Sequence, residues 1–207
     1  MPWDRLERRR TGAQGMPVPE GYQVPARDQR TAPAAGQIRL FDADTGFYTM
    51  PALHEFIQYE IDGSAQTLRN ELYITPLCVA AVEVAPPHGV KDDLQRSRFL
   101  TAVSGAIRLT LRVADRVARE HDVFVALVRR TMAATVCAKL VPRLTSRIVD
   151  ACADWGKVNV TVGVSSLVEH AARSPDHMVR MALRALEEAR RDPGSAVVYD
   201  FRVMPLD

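Results

Sequence analysis

The stretch Arg116-Val-Ala-Arg-Glu-His-Asp-Val-Phe-Val-Ala-Leu-Val128 decides the fold. Two short runs suited to strands, Arg116 to Arg119 and Val123 to Val128, are joined at Glu120-His121 and read as a β-hairpin. Outward from it, toward the N-terminus, Phe99 to Leu111 is a helix with Leu100, Val103, Ile107 and Leu111 on one stripe. Leu77 to Ala85 is a strand apolar enough to be buried on both faces, and Pro86-Pro87 stops it because proline has no donor for a ladder. An earlier helix starts near Met50, with Pro51 in its first turn and Leu53, Phe56, Ile57 and Ile61 spaced for one face, and ends at Asp62-Gly63-Ser64. Toward the C-terminus, Thr131 to about Ile148 is a helix that Pro142 should kink or divide. Lys157 to Val164 is a strand with valine at every second position from Val158. Ser174-Pro175 caps and opens a helix that ends at Asp192-Pro-Gly194, with Glu187 and Arg191 placed to pair across a turn, and Ala196 to Tyr199 is the closing strand. A hairpin inside an otherwise alternating order argues against a doubly wound parallel sheet. The pattern predicts an α+β fold: a mixed, largely antiparallel sheet of about five strands flanked by helices.

Residues 1–36 are rich in Pro, Gly and Arg and lack an apolar period, so they read as a disordered or loosely docked arm before a domain over 37–207. No run approaches the ~20 apolar residues of a membrane-spanning helix, and the formal net charge of +2 gives no footing for nucleic acid. Arg8, Arg9 and Arg10 are followed by no apolar segment, which argues against a secretory signal. Cys78, Cys137 and Cys152 are widely spaced in apolar surroundings and read as reduced, buried thiols, so the expected location is the cytoplasm. The histidines have no ligand spacing, and neither a serine elbow nor a phosphate-cradling Gly-rich loop is present.

Several phrases, in order, resemble the GGDEF family, whose active members are diguanylate cyclases that condense two GTP into cyclic di-GMP. The likeness covers roughly residues 40–200. Asp42-Ala-Asp-Thr-Gly-Phe-Tyr-Thr-Met50 resembles the opening D-x-L-T-G-L-x-N-R phrase. Val82-Glu-Val-Ala-Pro-Pro87 stands where a strand ends D-I-D-x-F-K, and Arg112-Val-Ala-Asp115 matches R-x-x-D ahead of the signature hairpin. Asn159-Val-Thr-Val-Gly-Val164 is similar to V-T-V-S-I-G-V, and Ala182-Leu-Arg-Ala-Leu-Glu-Glu-Ala-Arg190 to the final helix A-D-x-A-L-Y-x-A-K.

The departures fall where the family's chemistry lies. Aligning Asp122-Val123-Phe124 with D-E-F puts Glu120 and His121 where two glycines belong, so side chains stand in nucleotide space. Glu120 against a triphosphate is a like-charge contact of about 4 kcal/mol near a protein surface. At the strand end, Glu83 replaces the first metal carboxylate and Asp122 offers the other, but Ala85 lacks the second carboxylate of that strand. The resemblance, with these losses, implies a catalytically inactive regulatory or interaction module of bacterial signal transduction. No cofactor is expected, Mg²⁺ entering only with residual nucleotide binding at Glu83 and Asp122. Arg112 and Asp115 match the family's inhibitory cyclic di-GMP site, with Arg143 or Arg147 as the second arginine. The partners implied are cyclic di-GMP and a signalling protein or a second copy of the chain. Two alternatives stay open: a divergent Mg²⁺-dependent diguanylate cyclase, and a ligand-free protein-interaction domain.

Overall fold

The computed structural model describes residues 39–68, 71–87, 90, 92–200, 202–204 and 206. The N-terminal arm, His88 and most of the polar stretch before Asp92 lie outside the described residues.

The elements in chain order are α1 (Met50–Asp62), β1 (Ala65–Leu68), β2 (Glu71–Ile74), β3 (Leu77–Ala85), α2 (Asp93–Thr110), β4 (Arg116–Glu120) and β5 (Val123–Arg129). There follow α3 (Ala133–Thr135), a π-helical segment Val136–Leu140, α4 (Val141–Ala151), a 3₁₀ turn Ala153–Trp155, β6 (Asn159–Ser166), α5 (Pro175–Ala189) and β7 (Ala196–Val198). Five strands form one sheet in the order β4-β5-β3-β6-β7, antiparallel throughout except for the parallel pair β6 and β7. The mixed, largely antiparallel five-stranded sheet expected from the sequence is therefore present.

Both faces of β3 are covered, which explains its unbroken apolar run. Cys78, Ala80, Val82 and Val84 face α2 and α4 through Phe99, Val103, Ile107, Leu144 and Ile148. Leu77, Val79 and Ala81 face α1 and α5 through Leu53, Ile57, Met178, Met181 and Leu186. α5 lies directly on β6 at Gly163, where a Cβ would stand 2.1 Å from Leu186 N and 2.2 Å from Ala182 O. Only a residue without a side chain permits that approach.

Four local readings are corrected. Residues 65–74 form a separate antiparallel hairpin, β1 with β2, that was not anticipated. α2 begins at Asp93 and not at Phe99, because Asp92 caps it by accepting from Gln95 N at 2.7 Å. Arg184 pairs with Glu187, and Arg191 with Glu188, in place of the expected Glu187–Arg191 pair. The signature turn is His121-Asp122, since Glu120 pairs with Val123 inside the ladder. The expected break at Pro142 takes the form of the π-helical segment just before it, with Val141 N–H reaching Val136 O. Widening the turn there accommodates a residue that cannot donate.

Candidate functional site

The β4–β5 hairpin has two ends, and the residues singled out by sequence gather at both. At its turn, His121 adopts φ 56°, a left-handed conformation that glycine reaches more cheaply. Glu120 and His121 are both exposed. Phe124 is buried and meets Phe47 edge to face, with ring centroids 5.9 Å apart.

Glu83 and Asp122 do not converge, contrary to the expectation that they share a metal position. Glu83 lies in register with Val123 on β5 and Thr161 on β6, on the face covered by α5. Its two oxygens take Arg190 Nε at 2.9 Å and Nη2 at 2.7 Å, a forked pair from the C-terminal end of α5. That hydrogen bonding to Glu83 holds the Arg190 guanidinium above its ordinary pKa. Asp122 turns to the other face, where Arg96 Nη2 of α2 lies 2.6 Å from its Oδ1. Val123 stands between Glu83 and Glu120 in one cross-strand row, so the residue aligned with the signature's second carboxylate is apolar. These residues do not fit a divalent cation. Each candidate carboxylate is already matched by a guanidinium, and no group of three His, Cys, Asp or Glu gathers among the described residues.

Between α2, the end of β3 and the turn lies a crevice lined by Val84, Pro86, Arg96, Phe99, Asp122 and Phe124. Its cavity volume is about 10 Å³, room for one water. Small-molecule pockets run to roughly 300 Å³ and above.

The loop before α1 is bound to this hairpin. Asp42 accepts from Thr45 N at 2.9 Å and Thr45 Oγ1 at 2.6 Å, and Gly46 turns at φ 66°. Arg119, only 9% exposed in its side chain, reaches Asp42 at 3.2 Å and Asp44 at 3.0 Å and donates from Nε to His121 O at 2.6 Å. Arg108 donates to Thr45 O and lies over the Phe47 ring. Burial pushes the Asp42 carboxyl up, but the Thr45 donors and Arg119 together outweigh it and hold the group below its ordinary pKa.

At the opposite end of the hairpin, the R-x-x-D residues make a corner. Asp115 accepts from Arg112 N at 3.0 Å and from Arg129 N at 3.1 Å, so one carboxylate ties the end of α2 to the end of β5. The Arg112 side chain is exposed. Arg143 of α4 comes to the same corner and donates at 2.8 Å to Thr110 O, one of the terminal carbonyls of α2. Arg143 thus meets the chain at the end of α2, two residues before Arg112.

No protein-family model matches the sequence, and no curated protein matches it. Solved structures do. The GGDEF domain of TpbB (YfiN) from Pseudomonas aeruginosa superposes with a TM-score of 0.61 at 20% identity, over 78% of this chain and 95% of that one. The GGDEF domain of DgcB from Caulobacter crescentus, in complex with c-di-GMP, gives 0.61 at 14% identity, over 79% and 97%. The diguanylate cyclase SiaD of P. aeruginosa, in complex with its activator SiaC, gives 0.59 at 21% identity, over 77% and 61%. The fold is that of a GGDEF domain. Within this GGDEF fold, Gly163, the glycine of Asn159-Val-Thr-Val-Gly-Val164, marks where α5 rests on the sheet.

Sequence reasoning missed Arg96, Arg119 and Arg190, the arginines that hold the carboxylates around the hairpin. Arg190 lies 107 positions from Glu83, and no local pattern announces that pairing. The cysteines offer no competing chemistry: burial pushes the Cys78 thiol up to about 12, far from a reactive thiolate.

Proposed function

We propose that the chain is a catalytically inactive GGDEF-type module of bacterial signalling that binds cyclic di-GMP at the corner of Arg112, Asp115 and Arg143. The closed crevice carries the inactive half of this reading: about 10 Å³ beside the turn does not admit a purine triphosphate. The pairing of Glu83 with Arg190 and of Asp122 with Arg96 adds to it, since a metal-bound triphosphate needs unneutralised carboxylates. The ligand half is supported by the exposed side chain of Arg112 at the R-x-x-D corner and by Arg143 at the adjoining end of α2, residues whose guanidinia can fork onto phosphodiesters. A neighbour in the same fold is seen with c-di-GMP. A signalling role with a protein partner is supported by SiaD, seen with its activator. Three free cysteines fit a reducing cytoplasm, and no helix among the described residues is long and apolar enough to cross a membrane.

Incubation with GTP and Mg²⁺, followed by chromatography for cyclic dinucleotide, is expected to give no product; substantial product removes the inactive assignment in favour of a divergent cyclase. Calorimetry with cyclic di-GMP is expected to show binding that Arg112→Ala abolishes. Absence of heat with the wild type leaves a ligand-free interaction domain.

A further inference from the structure

We infer that the cleft at the C-terminal end of α1 is a binding site for a free α-amino acid with an apolar or aromatic side chain. The cleft lies between the last turn of α1, the chain entering β3 and the turn after β5, and its cavity volume is about 290 Å³. That is the lower end of the range for small-molecule pockets, roughly 300 Å³ and above. Arg112 and Asp115 do not line it, so the site is separate from the R-x-x-D corner. Its charged residues are Glu60 and Asp62 from α1, and Arg129 and Arg130 from the end of β5 and the turn after it. Glu60 and Arg129 answer each other, with Arg129 Nε 2.8 Å from Glu60 Oε2. Asp62 accepts from the neutral Gln58 amide at 2.7 Å, which leaves its charge uncompensated. Arg130 is exposed and has no hydrogen-bond or ionic partner for its guanidinium among the described residues. The cleft thus presents one unmatched carboxylate and one unmatched guanidinium. The small ligand that complements both is a zwitterion, with its ammonium toward Asp62 and its carboxylate forked on Arg130.

Two further observations point to a ligand. Glu60 and Asp62 both stand in the last turn of α1, which carries no basic residue. The helix macrodipole is negative there, so it disfavours carboxylates and favours an ammonium brought from outside. Arg130 takes φ 51°, a left-handed conformation that glycine adopts more cheaply. Both positions run against local stability, the pattern expected where residues serve a ligand rather than the fold. The exposed ring of Tyr59 and Pro76 line the same cleft and supply apolar surface for the ligand's side chain.

Calorimetric titration of the full chain with L-phenylalanine, phenethylamine and hydrocinnamate separates the two charges. L-Phenylalanine is expected to bind with a Kd of about 1 mM or tighter, and each single-charge analogue about tenfold more weakly. Arg130→Gly is expected to weaken L-phenylalanine binding about tenfold and leave phenethylamine unchanged. Asp62→Asn is expected to weaken L-phenylalanine binding about tenfold and leave hydrocinnamate unchanged. Both variants are expected to melt at or above the wild-type temperature. Glycine suits the left-handed backbone, and asparagine keeps the Gln58 bond while removing a negative charge from the end of α1. No binding of L-phenylalanine up to about 10 mM overturns the inference, and so does wild-type affinity for it in either variant.

Discussion

At the turn end of the β4–β5 hairpin, Glu83 and Asp122 are each held by an arginine from a helix, and the crevice between Asp122 and α2 has room for about one water. At the other end, Arg112 is exposed beside a carboxylate whose oxygens are occupied by backbone amides. The two ends belong to the same pair of strands, yet at one the candidate carboxylates Glu83 and Asp122 are matched by arginines, while at the other Arg112 stands in solvent. The difference teaches which charges of this GGDEF fold the protein already matches and which it leaves to solvent. A guanidinium that already has its carboxylate has little left to offer a phosphate, while an unpaired one gives up no protein partner on binding, only rotamer freedom.

The sharpest way to break the closed end is Gly163→Ala. A methyl group there meets the backbone of α5 and forces away the helix that carries Arg190 to Glu83. The expected loss is about 3 kcal/mol, a fall in melting temperature of roughly 6–12 °C. The mirror experiment at the open end is Asp115→Ala, which leaves the amides of Arg112 and Arg129 without their acceptor. A loss of about 2 kcal/mol by chemical denaturation is expected, with cyclic di-GMP binding lost as the spacing of the arginines relaxes.

Smaller and pH-dependent is the contribution of Asp42, which ties the loop before α1 to the hairpin. Its carboxyl lies below the unfolded value of 3.8, so its stabilisation is complete above that value and is lost as pH falls through the lower, folded value. Melting temperatures measured from pH 6 down to about pH 3 are expected to fall more steeply for the wild type than for Asp42→Asn. Parallel curves would show that the Arg119 clasp does not depend on that charge. Smallest is His121→Gly, which relieves the left-handed turn and is expected to raise stability by about 0.5–1 kcal/mol. GTP turnover is expected to be absent in this variant as in the wild type, because Arg96 and Asp122 still close the crevice; any cyclic dinucleotide formed by it would break the contrast between the two ends.

Much of the architecture was legible in the chain. The limits of β3, the cap at Ser174 and the proline opening α5 follow from local chemistry, and the structure places them where that chemistry does. The β1–β2 hairpin was not legible, because residues 65–74 carry neither a turn dipeptide nor a clean alternation. The start of α2 was missed because Asp92-Asp93 reads equally well as loop and as cap until Gln95 N is seen to donate to it.

At the candidate site, the identity of the chemistry-bearing residues was a property of the sequence: which glycines and carboxylates are missing, and that Arg112 and Asp115 are present at R-x-x-D spacing. Their partners were not. Register alone separates Glu83 from Asp122 by a sheet, because successive residues on a strand point to opposite faces and the turn sends Asp122 toward α2. Packing brings Arg190 to Glu83 and Arg143 to Thr110, across distances in sequence that no short-range pattern spans. Composition and spacing therefore determine what the site lacks, while the folded arrangement decides which arginines are already spent on the protein and which are left exposed.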